Sequence, residues 1–141
     1  MVRVSRYVYL VAAGLFVIGV LVQVYLAGMV VVARQGNWNS HIGLGHSLAG
    51  PLLFMLISMY LGRLPRSMKI TTWLLFVAYA LQADVVIFMQ ASAPLVSALH
   101  PVFALVDFAL GVILLRQAWQ VARTSSADQG MQPEASPPVN P

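Results

Sequence analysis

A chain of 141 residues with 60% hydrophobic and only 9% charged side chains cannot cover a water-soluble domain, in which about a quarter of residues are charged. The net charge is +4 and the pI is near 10.0, yet the basic residues sit between apolar runs, so they point to membrane edges and not to nucleic acid. The chain has no cysteine, which excludes disulfides, thiolate metal sites, iron–sulfur clusters and cysteine nucleophiles together.

A spanning helix needs about 20 mostly apolar residues. Arg3 and Arg6 precede an apolar run over residues 7–33 that only Gln23 interrupts. The run is longer than the 7–15-residue core of a cleavable signal, so it predicts an uncleaved signal-anchor helix at about residues 5–34. The polar turn RQGNWNS leads to a second apolar helix at about 41–63. The basic turn RLPRSMK leads to a third at about 69–91, and ASAP to a fourth at about 95–122. None of these runs has the alternation of a barrel strand. Short connections impose antiparallel neighbours. The expected fold is therefore all-α: an integral membrane, up-down-up-down four-helix bundle over residues 1–123. The tail TSSADQGMQPEASPPVNP, residues 124–141, is polar and proline-rich and is expected to be disordered. No internal repeat is evident beyond shared hydrophobicity.

Arg3, Arg6, Arg63, Arg66, Lys69, Arg116 and Arg123 fall on one side of such a bundle, and Arg34 stands alone on the other. By the positive-inside rule both termini face the cytoplasm, in a multi-pass protein of the cell (inner) membrane. Trp38 and Trp73 then lie near the two interfaces as aromatic anchors.

Polar groups inside lipid are costly and face the bundle interior. Gln23, His41, His46, Gln90 and His100 all fall in the non-cytoplasmic half, with Asp84 and Asp107 one to two turns deeper. Helices two and four lie diagonally, roughly 12–14 Å apart when adjacent axes are 8–10 Å apart. That gap suits a flat macrocycle held by an imidazole from each side. His46 and His100 are the expected pair. Gly43 and Gly50 flank His46 at i−3 and i+4, Ala104 flanks His100 at i+4, and Gln23 faces the same space from helix one. His41 is the alternative ligand. It lies about 140° around the helix from His46, and it becomes the better match if helix four starts late, as Pro101 favours. In the pairing with His46, His41 lines a quinone or propionate site. Pro51 is expected to kink helix two below His46. Bis-histidine ligation of haem b leaves no open coordination site and suits electron transfer.

Plainer readings stand beside these. The histidines and glutamines also serve as hydrogen-bonding links between helices. Asp84 and Asp107 are either a proton path or neutral carboxyls bonded to backbone. Met55, Met59 and Met89 read as packing residues. No nucleotide loop or serine triad is present, so the sequence leaves open whether any reaction is catalysed.

The stretch LQADVVIFMQASAPLVSALHPVFALVDFALG resembles the corresponding part of haem A synthase, with Ala98-Leu99-His100 followed by Ala104. The segment QVYLAGMVVVARQG, followed by a histidine-bearing helix, is compatible with it, and the resemblance spans about residues 20–115. The chain also resembles an uncharacterised bacterial family of small four-span membrane proteins. The resemblance implies b-type haem ligands at His46 or His41 and at His100. The chain is half the enzyme's length and lacks glutamates before the helix-two histidine, so it implies a half-length relative that keeps the haem, alone or as a homodimer. The expected function is that of a small cytochrome b-like protein exchanging electrons with quinone or a membrane redox complex. The alternatives are a cofactor-free accessory or assembly subunit of a larger membrane complex and a chlorophyll-type pigment site.

Overall fold

The computed structural model describes residues 1–85 and 88–130. Among them there is no strand. The elements in chain order are α1 (Val2–Val31), α2 (Trp38–Ser47), α3 (Ala49–Leu61), α4 (Arg66–Ala80), a π-helical segment (Leu81–Val85), α5 (Pro94–Ser97) and α6 (His100–Gly130). α2 and α3 continue each other through Leu48 as one rod, Trp38–Leu61. That rod, α1 and the segment Pro94–Thr124 are long and apolar enough to cross a membrane. The third of the four expected spans differs. α4 has 15 residues, about 22 Å at 1.5 Å per residue, short of a roughly 30 Å hydrocarbon core, and the π segment continues it. Of the expected disordered tail, residues 131–141 lie outside the described residues.

Local chemistry sets the element ends. The Asn37 side chain accepts from the Ser40 N–H at 3.3 Å, so α2 starts at Trp38, earlier than hydropathy alone suggests. α3 stops in a Schellman turn: Arg63 N–H donates to the Tyr60 carbonyl at 3.1 Å and Leu64 N–H to Met59 at 3.0 Å. Arg63 takes the left-handed conformation there, with φ of 50°, and Leu64 is buried. Pro65 follows as the N-cap of α4. Between α2 and α3 the helical ladder is interrupted. Pro51 has no N–H to give the Ser47 carbonyl, and its ring crowds that carbonyl. The Leu48 N–H is shared between the Leu44 and Gly45 carbonyls, each at 3.2 Å.

Contacts at the basic end fix the directions of the rods. Arg6 Nε, near the start of α1, donates to the Gly62 carbonyl at the end of α3 at 3.0 Å. A Cβ on Gly111 would lie 3.1 Å from Val17, and one on Gly14 would lie 3.8 Å from Leu115. Positions rising along α1 therefore meet positions falling along α6. Tyr9 and Thr72 hydroxyls are 2.6 Å apart. The Thr72 proton is donated to the Met68 carbonyl at 2.8 Å, so Tyr9 is the donor to Thr72.

The core sits around this contact. Tyr9, Phe16, Leu52, Met55, Met59 and Leu75 are all buried. α1 buries nothing beyond Val20, and neither α2 nor α5 buries any residue. Leu48, at the interruption, is seated on Gly19: a Cβ at Gly19 would run into the Leu48 side chain.

Candidate functional site

The end of the molecule away from the core holds the polar side chains. His41 lies in the first turn of α2, and its Nδ1 is 3.1 Å from the Gln23 carbonyl of α1. His100 opens α6, and its Nδ1 is 3.3 Å from the Gln82 carbonyl. A carbonyl only accepts, so each Nδ1 carries the proton. In the neutral rings both Nε2 atoms then keep a free lone pair, as in a histidine ready to bind metal. The two rings lie edge to face, with centroids 6.1 Å apart and planes at 63°. The Trp38 and His41 rings also meet edge to face, with centroids 5.6 Å apart.

The structure brings His41, not His46, to His100. His46 is exposed, and its Nδ1 donates to the Ile42 carbonyl of its own helix at 3.0 Å. The reason is the start of α6. Pro101 occupies its second position, where a missing N–H leaves no helical acceptor unpaired. His100 is thus the first residue of the helix and lies level with the first turn of α2. Gly43 is exposed and Gly50 half-buried, and an added Cβ on either would meet nothing within 4 Å. Those two glycines therefore do not narrow the space beside His41 and His100. Ala104 is half-buried one turn beyond His100.

Gln23 and Gln82 each bury a side-chain Oε1 that has no hydrogen-bond partner. A Cβ on Gly45 would come 2.6 Å from Gln23 Nε2, so glycine there lets the carboxamide lie against α2. Asp107 is 1% exposed with Oδ1 unpartnered, seven residues and roughly 10 Å along the helix from His100. Asp84 is exposed in the π segment. The Tyr79 hydroxyl donates to the Gly45 carbonyl at 2.7 Å.

Sequence reasoning missed three parts of this arrangement. Tyr79 joins α4 to the Gly45 carbonyl, next to the break at Leu48. The π segment, a wide turn common at functional sites, presents the Gln82 carbonyl to His100. Leu48 itself reads in the sequence as one more apolar residue. Only the Pro51 signal pointed toward any of them.

Among the described residues no group of three or more His, Cys, Asp or Glu side chains converges. From these residue types a bare ion would find two imidazoles, whereas a tetrapyrrole brings four nitrogens of its own and asks for two axial ligands. Two imidazoles are the donor set such a group asks for, and here their rings lie edge to face with centroids 6.1 Å apart. A cleft of about 460 Å³ lined by Leu10, Leu115, Arg116 and Trp119 lies at the basic end, away from the histidines.

A family of unknown function (DUF6220) matches residues 23–92, a region that holds Gln23, His41, His46 and Gln82 and stops short of His100. No curated protein and no solved structure matches the chain, so the resemblance to haem A synthase gains no support from these comparisons.

Proposed function

We propose that the chain is a multi-pass protein of the cell membrane, an up-down-up-down bundle of four spans, that holds a b-type haem between His41 and His100. The observation that carries this reading is the pair of imidazoles, each with Nδ1 tied to a carbonyl and Nε2 free, whose ring centroids are 6.1 Å apart. Insertion is supported by three long apolar helices and by the exposed apolar side chains along α1 and α3, among them Leu15, Ile18, Phe54 and Ile57. Lipid satisfies such a surface and water does not. The basic residues gathered at the other end support a cytoplasmic location for that end and for both termini.

His41 and His100 would hold the iron, and Trp38 would cover the His41 ring. When bound, the haem supplies reversible one-electron chemistry. Held by two histidines, the group would serve electron transfer and not the binding of oxygen or another substrate. The natural electron partners are a membrane quinone or a redox complex in the same bilayer.

Purification of the full chain after haem-replete expression, followed by a pyridine haemochrome spectrum, tests the reading. One b-type haem per chain or per dimer is expected, together with its loss in the double variant His41→Ala/His100→Ala. No haem in the wild type, or haem retained in the double variant, overturns it. The direct ring-to-ring contact favours a second reading, in which the pair links the two halves of a cofactor-free accessory subunit. A colourless protein whose double variant unfolds at lower temperature is the result that selects it.

A further inference from the structure

The hydrogen bonds at the two histidines repeat one another. Gln23 and His41 are 18 residues apart, and so are Gln82 and His100. In each pair the histidine Nδ1 donates to the glutamine's backbone carbonyl, and in each pair the glutamine's Oε1 is buried without a partner. Four residues after each histidine stands a small residue, Gly45 or Ala104. Seven residues after each stands a buried side chain, Leu48 at 6% exposure or Asp107 at 1%. Shared hydrophobicity alone does not produce this coincidence of spacing, bond and burial. The repeat escapes inspection of the sequence because the matching positions are few and the loops between them differ, RQGNWNS in one half and ASAP in the other.

We infer that this end of the protein is a duplicated half-site. The segments carrying Gln23 and His41 and those carrying Gln82 and His100 are two copies of one unit, each giving one imidazole nitrogen and one carboxamide to the same bound group. A ligand gripped this way has two like faces around one centre. That describes a metal in a planar macrocycle, and it does not describe a ligand with a distinct head and tail. A carboxamide turns to offer either N–H or C=O, so Gln23 and Gln82 are positioning residues that hydrogen-bond to the periphery of the group while the histidines hold its centre. The inference rests on the haem reading above and adds that the two ligands are equivalent.

The experiment is haemin titration of the purified full chain and of the variants His41→Ala, His100→Ala, Gln23→Ala and Gln82→Ala, followed by optical and electron paramagnetic resonance spectra and redox titration. Each single histidine variant is expected to turn a six-coordinate low-spin haem into a five-coordinate high-spin one. Haem affinities of the two variants should agree within about a factor of two to three, and added imidazole should restore the low-spin signal in both. That rescue shows the variants are folded. The two glutamine variants should shift the reduction potential in the same direction. One histidine variant that loses haem while the other keeps it, or glutamine variants that shift the potential in opposite directions or not at all, overturns the equivalence and leaves the haem reading standing. A wild type that takes up no haem overturns both.

Discussion

The two ends of the molecule are built on opposite principles. At the basic end Tyr9, Phe16, Met55, Met59 and Leu75 are wholly buried, and the Tyr9–Thr72–Met68 chain of hydrogen bonds pairs each donor in it with an acceptor. At the histidine end α2 and α5 bury nothing, a π segment follows α4, and Gln23, Gln82 and, deeper in the bundle, Asp107 keep buried oxygen atoms without partners, as Gln117 does at the basic end. Dense packing and satisfied polar groups are what stability requires. Unpaired buried polar atoms are a cost that persists where something else is to be bound. One end holds the helices together, and the other, loosely packed, is where we propose that a ligand binds.

Truncations at the two ends should therefore differ in size. Phe16→Ala removes a fully buried ring and should cost about 3–5 kcal/mol, read from a denaturant titration of the purified protein in detergent micelles. Gly19→Val drives a side chain into Leu48 and should cost about 1–3 kcal/mol. Adding Leu48→Ala should recover part of that loss, and no recovery would mean that the Gly19 seat does not set the approach of α1. Tyr9→Phe deletes the donor to Thr72 and should cost about 1 kcal/mol. His46→Ala, exposed and bonded only within its own helix, should change stability by less than about 0.5 kcal/mol. A large effect there would show that the outward face of α2 is buried against another subunit.

Much of this contrast is legible in the residues. Hydropathy marks the helical rods, the arginines mark one end, and the histidines and Gln23 collect at the other. The start of α6 is readable too, because Pro101 permits a helix to begin just before it. The choice between His41 and His46 is not written in the residues. It depends on how far α6 is offset against α2, and that offset is set by tertiary contacts: Leu48 on Gly19 and Tyr79 on the Gly45 carbonyl. Hydropathy windows do not contain such contacts. The glycines at positions 43 and 50 read as a cavity floor by spacing alone, yet small side chains on a helix look the same whether they face a neighbour or open space. The π segment has no residue signature at all. The 18-residue spacing of Gln and His is in the sequence, and it gains meaning only when both hydrogen bonds are seen.

The most direct test of the claim that the loose end exists to hold a redox group is a dithionite-reduced minus oxidised optical difference spectrum. It is recorded on membranes carrying the wild type, His41→Ala or His46→Ala at equal protein levels. The account predicts a b-type α band in the wild type, an undiminished band in His46→Ala and a broadened or lost band in His41→Ala. A band that vanishes with His46 and survives the loss of His41, or no band in any of the three, contradicts it.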